Sequence, residues 1–219
     1  MKNILTIIFA ILVLVTETYA QKELTLQPDS EKGKDAWIWS FERFKEIGFG
    51  SESEQNYGLN NVIRAEVWKW SRKETPDTIR GLLQFNLSEI PNTASILEAK
   101  LSLYFYANEG FTPQLGDNEL LIQRITENWE EDKVNWVNQP SATEHNQIEL
   151  PKSENVSQDY LNIDVRNIVQ EMVYFPEKNN GFLIKLKKEQ EFNGLTFASS
   201  DFPDEKKRPL LYIKYLSNE

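Results

Sequence analysis

The chain has 219 residues, with 34 acidic and 24 basic side chains, one histidine and no cysteine, and its formal net charge is −10. This charge argues against a general nucleic-acid binder, because neutralising phosphates needs a cationic surface. The lack of cysteine excludes disulfides, thiolate nucleophiles and cysteine-ligated metal centres, and a single histidine argues against histidine-rich metal sites.

The first twenty residues have the pattern of a secretory signal peptide. Lys2 precedes an apolar run over 4–15, and a short polar stretch then leads to Ala20. A positive start, an apolar centre and a small residue before the cut are the three parts of such a signal. The run is also shorter than the ~20 apolar residues of a membrane span. We therefore expect cleavage after Ala20, no membrane span, and secretion to the periplasm or the extracellular space.

Residues 21–219 are expected to form one domain that folds without a required cofactor. Apolar residues recur at a spacing of two in short runs, which is the strand signature. One short helix is predicted to start at Asp164, a good N-cap residue, and to end before Pro176. Many short strands and one helix predict an all-β, two-sheet β-sandwich. The predicted strands cover 36–40, 62–70, 80–85, 101–106, 120–126, 160–163, 182–187, 195–198 and 210–215.

The alternation of side chains along the predicted strand over 62–70 predicts a glycan-binding face. If the odd-numbered positions 63, 65 and 67 point to the core, the even-numbered side chains of that strand point to water. Exposing a large ring forgoes about 1.5–3 kcal/mol of burial, and aromatic rings are what the C–H faces of sugars stack on. Interleaved Arg and Lys would add groups that fit a carboxylate. The predicted glycan-binding residues are Arg64, Trp68, Trp70, Arg80, Gln84, Tyr104, Tyr106 and Lys185.

Two alternatives to this face stay open. A one-residue bulge would reverse the parity and make Trp68 or Trp70 part of the core. A loop could also cover the whole face. The segment with Trp129, Glu131 and Trp136 is interpreted separately, as a long loop folded back on a sandwich edge: we expect its rings to plug the end of the core and Glu131 to bind backbone amides.

The many carboxylates of this chain are interpreted as solvated surface rather than as catalytic pairs. Glycoside hydrolysis needs two carboxyl groups at about 5–10 Å across a cleft, and nothing in the sequence marks such a pair. The domain is therefore predicted not to be an enzyme. A structural calcium ion stays open, with Asp35 and Asp201 as candidate ligands.

Several sequence phrases, taken in chain order, resemble one known family. The most specific is Trp129-x-Glu131-x-x-Val134-x-Trp136, followed by Gln139–Pro140. Others include Gly33–Lys34–Asp35–Ala36, Asn56–Tyr57–Gly58, Leu101–Ser102–Leu103–Tyr104 and Asn180–Gly181–Phe182. The ordered set resembles the secreted DNRLRE-type domains, which overlap the family-96 carbohydrate-binding modules.

This resemblance implies a jelly-roll sandwich without catalytic activity, whose founding members bind acidic algal polysaccharide beside lyase domains. Together with the predicted face, it predicts a secreted, non-catalytic carbohydrate-binding module for an acidic polysaccharide, alginate-like or pectin-like. A separately encoded polysaccharide-degrading enzyme is a further candidate partner. The alternative function is a secreted structural or adhesion module that binds a protein partner at the cell surface.

Overall fold

The structure is a computed structural model that describes residues 19–29, 31–42, 51–69, 75–106, 114 and 116–218. Within these residues the chain forms eleven β-strands and one α-helix. In chain order they are β1 (Tyr19–Leu26), β2 (Lys34–Trp39), β3 (Val62–Trp68), β4 (Asp77–Gln84), β5 (Ser95–Leu103), β6 (Leu120–Ile125), β7 (Ala142–Leu150), β8 (Tyr160–Asp164), α1 (Arg166–Tyr174), β9 (Phe182–Leu186), β10 (Asn193–Ala198) and β11 (Leu210–Asn218).

The strands form two antiparallel sheets. The first sheet has four strands in the order β1-β11-β5-β8. The second has seven, in the order β10-β3-β4-β9-β6-β7 with β2 also paired to β4. The predicted two-sheet β-sandwich is confirmed.

The main core lies between the two sheets. Period-two side chains such as Ile63, Ala65 and Val67 of β3 pack there against the inner residues of the other strands. The amphipathic helix α1 buries Ile168 and Met172 in the same core. Burying apolar area at about 25 cal/mol per Å² is the main stabilising contribution of such a core.

The loop over residues 126–141 covers part of the outer face of the second sheet. Trp129 and Val134 pack there against Leu82 and Leu183 in a separate hydrophobic cluster. The loop is held by Asn56, whose side-chain amide donates to the carbonyl oxygens of Glu131 and Val134 at 2.6 and 2.8 Å.

A close approach at Gly81 brings β3 over β4. A Cβ atom at Gly81 would collide with the side chain of Ile63 and would lie 3.3 Å from the carbonyl oxygen of Arg64. A larger residue here would force the Ile63 side chain to shift, so glycine allows the close approach of the two strands. As a result Val62 of β3 and Ile79 of β4 share a third apolar cluster with Trp37 of β2.

The structure differs from the predicted elements at several positions. Strands β1 and β7 were not predicted, because they are edge strands in which only two apolar residues alternate, Leu24 and Leu26 in β1 and Ile148 and Leu150 in β7. The helix begins at Arg166 with Val165 in the N-cap position, and Asp164 instead accepts a hydrogen bond from the Arg166 backbone N–H at 3.1 Å. In the part of the chain that the structure describes, no helix is long and apolar enough to cross a membrane.

Candidate functional site

The predicted glycan-binding residues do not all share one face. Ile79 and Arg80 are successive residues of β4, so their side chains point to opposite faces of the sheet. Ile79 packs with Trp37, whereas Leu82, on the same face as Arg80, packs under Trp129. The loop over 126–141 therefore covers part of the face that carries Arg80. A different set of side chains lies on the face that carries Ile79.

The first set surrounds Trp37, which is buried and stacks on Tyr57 with ring centroids 3.7 Å apart. Trp39 lies beside it at 6.2 Å, and Tyr106 packs against the same cluster and against Phe202 at 4.4 Å. Several of these rings remain half-exposed. We call this region, centred on Trp37, the aromatic surface. Its half-buried members are the rings of Trp39, Tyr57, Trp68 and Tyr106 and the side chain of Arg64.

Arg64 is fixed within the aromatic surface by a carboxylate. Its Nε and Nη2 atoms donate to the two carboxylate oxygens of Glu66 at 3.0 and 2.6 Å, and its guanidinium lies 5.1 Å from the Trp37 ring centroid. Glu66 is almost fully buried and also accepts from the Thr196 hydroxyl at 2.9 Å. Because the charge of Arg64 is already offset, this surface presents rings and a guanidinium edge rather than a strong positive potential.

Trp68 ends β3 and makes an edge contact with Phe192 at 5.1 Å. Phe192 is 51% exposed and has a φ of +63°, the left-handed region. For a bulky residue this conformation costs of order 1–3 kcal/mol and tends to persist at functional sites. The strained, exposed ring beside Trp68 therefore extends the aromatic surface in a way that packing alone does not require.

Two indole N–H groups in this cluster lack acceptors among the described residues. The Nε1 atoms of Trp37 and Trp39 are buried and donate to no described residue. An unsatisfied buried donor costs about 1–3 kcal/mol, so packing holds these two rings in place at a cost in hydrogen bonding.

The second set lies around Arg80 on the opposite face. The Arg80 guanidinium donates to both oxygens of Glu189 at 2.7 and 2.9 Å and to the side-chain oxygen of Gln139 at 2.9 Å. It also lies 4.8 Å from the ring centroid of Trp136, and Lys185 is half-buried on the neighbouring strand β9. We call Arg80, Trp136, Gln139 and Lys185 the Arg80 surface.

The remaining predicted residues lie apart from these two surfaces or outside the described residues. Gln84 donates a hydrogen bond to the carbonyl oxygen of Asn179 at the other end of β4. Tyr104 lies just beyond the end of β5, with the Lys207 ammonium 5.6 Å from its ring centroid. Trp70 falls outside the described residues.

The loop has the expected structural role, but Trp129 packs on the outer face of the second sheet rather than at the end of the main core. Trp129 is buried and its indole N–H donates to the Asn180 carbonyl at 2.9 Å. Glu131 accepts a hydrogen bond from the Asp35 backbone N–H at 2.8 Å. Trp136 is half-buried and packs both against the hydrophobic cluster under the loop and against Arg80.

Asp35 and Asp201, the candidate calcium ligands, lie near each other and near Glu131. Asp35 is fully buried, and one of its carboxylate oxygens accepts from the Ser200 backbone N–H at 2.8 Å while the other has no hydrogen-bond donor among the described residues. Burial raises the pKa of Asp35 to about 7, and the charges of Asp201 and Glu131 act in the same direction.

No group of three or more acidic or histidine side chains among the described residues is placed to hold a metal ion. The calcium site therefore stays a prediction. Thermal melts in EDTA and in calcium test it: a higher melting temperature in calcium supports the site, and equal values contradict it.

Comparison with known protein families decides the class of this domain. Residues 47–215 match the model of carbohydrate-binding module family 96. The chain belongs to carbohydrate-binding module family 96. The matched region contains the aromatic surface, apart from Trp37 and Trp39, and the Arg80 surface. No curated protein matches the sequence.

Sequence reasoning missed several side chains of both surfaces. Trp39 and Tyr57 reach the aromatic surface from β2 and from a turn, and Phe192 reaches it from a second turn. A partial signal for Trp39 was present, because Trp37 and Trp39 alternate on one strand. Nothing local in the sequence indicated Tyr57 or Phe192.

Proposed function

We propose that this domain binds an acidic polysaccharide without cleaving it, and that the aromatic surface holds the sugar chain. Membership of a carbohydrate-binding module family makes a polysaccharide the partner class, and such families are typically non-catalytic. The observation that carries the placement is the group of half-exposed rings around Trp37, with Arg64 fixed among them. Rings of this kind offer apolar faces to sugar C–H groups while fixed polar groups orient the hydroxyls.

The acidic class of the polymer is supported by the cations on the two surfaces. Arg64 and Arg80 present planar guanidinium groups, and Lys185 adds an ammonium group. Glu66 and Glu189 offset the two guanidinium charges, so we expect modest affinity for a polyanion that weakens as salt screens the remaining charge.

We also propose that the domain is exported and that a signal peptide is cleaved after Ala20. Strand β1 pairs with β11 from Tyr19 onward, so cleavage there would shorten β1 by two residues and leave Gln21–Leu26 paired. Sequencing the N-terminus of the secreted protein tests this, and any start other than Gln21 contradicts it.

The test of the proposed function is retardation in native gels that contain alginate, pectin or a neutral β-glucan. We expect retardation by an acidic polymer, a weaker shift for Trp68→Ala, and no new reducing ends or unsaturated products in the same mixtures. Tyr174→Ala is the matched control, because it removes a ring that is 45% exposed on α1, away from both surfaces. Equal retardation of Trp68→Ala and the parent protein in every gel contradicts the placement.

Arg64→Ala would not separate an effect on binding from an effect on folding. Removing the guanidinium would leave the nearly buried carboxylate of Glu66 without its ion-pair partner, which destabilises the fold as well as the surface. Trp68 has no such partner and is the better probe.

A further inference from the structure

The Arg80 surface has side chains and a partly exposed position that suit a separate binding site. Leu82 shares its face and is buried beneath the loop over 126–141, whereas the Arg80 side chain is contacted by the same loop and is still 21% exposed. Trp136 and Gln139 from the loop and Lys185 from β9 remain half-buried around the guanidinium. The loop thus forms one wall of this surface.

The guanidinium at its centre is held rigidly. Glu189 binds it through two hydrogen bonds, Gln139 accepts a third, and the Trp136 ring packs against it. A side chain held this way loses little conformational freedom when a ligand binds, which favours affinity. The ring of Trp136 is held in place by the same contacts.

Two donors on this surface are left unused. Among the described residues, the Trp136 indole N–H has no hydrogen-bond acceptor and the Lys185 ammonium has no ion-pair partner. Trp129, only seven positions earlier in the same loop, instead donates its indole N–H to the Asn180 carbonyl. A half-exposed ring with a free N–H, together with a free ammonium on the same face of the sheet, suits a sugar, whose C–H face covers the ring while hydroxyl or carboxylate oxygens accept from the donors.

We propose that the Arg80 surface is a second saccharide-binding site, independent of the aromatic surface, so that one domain can join two polysaccharide chains. This rests on the proposed function, since both sites are taken to accept the same polymer. Arg80 and Ile79 point to opposite faces of β4, so a short oligosaccharide cannot occupy both surfaces at once. Short ligands therefore bind two per domain, and long polymers are cross-linked or held with added avidity.

Calorimetric titration with hexasaccharides from alginate and from pectin tests the second site. We expect two ligands per domain for the parent protein and for Tyr174→Ala, and one for Trp136→Ala and for Trp68→Ala. Lys185→Gln leaves the loop untouched and should weaken one of the two sites at least tenfold, which keeps the test valid if Trp136→Ala folds poorly. In parallel, the parent protein should raise the viscosity of the polymer solution and each single-site variant should not.

The outcomes separate the two proposals. One ligand per domain, with binding lost in Trp68→Ala and unchanged in Trp136→Ala and Lys185→Gln, overturns the second site and leaves the proposed function standing. In that case the contacts of Arg80 only hold the loop on the sheet. No binding of either hexasaccharide by the parent protein overturns both.

Discussion

The two arginine–carboxylate pairs use the same chemistry in different surroundings. In the aromatic surface, the side chains of Arg64 and Glu66 are 14% and 5% exposed; in the Arg80 surface, those of Arg80 and Glu189 are 21% and 25% exposed. A nearly buried carboxylate must keep its partner, because removing it leaves an uncompensated charge in a poorly solvated place. A partly solvated pair contributes little to stability, and losing one partner leaves the other in contact with water. The degree of burial, rather than the pairing itself, therefore separates an arginine that supports the fold from one that is available to a ligand.

The largest expected contrast is between two tryptophans of the loop beside Arg80. Trp129→Ala should lower the free energy of unfolding by about 3–5 kcal/mol, because it leaves a cavity under the loop and removes the hydrogen bond to Asn180. Trp136→Ala should cost far less, since that ring is half-exposed. Urea denaturation measures both, and similar losses would show that Trp136 is part of the loop's core.

The next contrast separates the two ion pairs directly. Glu66→Gln should lower the free energy of unfolding by about 3 kcal/mol, because Arg64 and the Thr196 hydroxyl lose a buried acceptor. The matched variant Glu189→Gln belongs to the more solvated pair and serves as its control. If the two substitutions cost the same, the contrast in burial has no energetic consequence.

The raised pKa of Asp35 makes the free energy of unfolding depend on pH, so variants of the two surfaces must be compared at one pH. Its folded pKa is about 7 against an ordinary 3.8, so between these values the folded protein keeps a proton that the unfolded chain has released. Stability should therefore fall as pH rises through this window, by up to about 1.4 kcal/mol per pH unit at the steepest point. Asp35→Asn should flatten that slope in urea denaturation at pH 4 to 8, and an unchanged slope would contradict the raised pKa.

The smallest expected effect on stability is that of Glu189→Gln, about 0–1 kcal/mol. Its effect on binding should be larger. Removing the carboxylate frees the Arg80 guanidinium from its counter-charge, so affinity for an acidic polymer should rise while affinity for a neutral glucan stays constant. Gel retardation in both polymers checks this, and a loss of retardation in the acidic gel would mean that Glu189 itself contacts the sugar.

The sandwich was predictable from the sequence because period-two burial is a local signal. The runs that became β3, β4 and β9 show it clearly. Strands β1 and β7 show it only weakly, since each edge strand has a single alternating apolar pair, Leu24 and Leu26 or Ile148 and Leu150.

The site was predictable only in part. Parity correctly placed Arg64 and Trp68 on one face of β3, yet it could not show that Arg80 lies on the other side of the sheet, because that depends on how β3 crosses β4 at Gly81. The partners of the arginines were equally hidden. Glu189 is 109 positions from Arg80, and a contact of that separation leaves no pattern in a single sequence.

The most direct measurement of where the sugar binds is the set of indole N–H signals in a ¹H–¹⁵N correlation spectrum, recorded while alginate hexasaccharide is added. The chain has six tryptophans, and single Trp→Phe variants assign their signals. We predict that the Trp68 signal moves in a saturable way while the Trp129 signal, from a buried ring with a hydrogen-bonded N–H, stays fixed. A spectrum in which saturable shifts occur elsewhere and the Trp68 signal does not move would contradict binding at the aromatic surface.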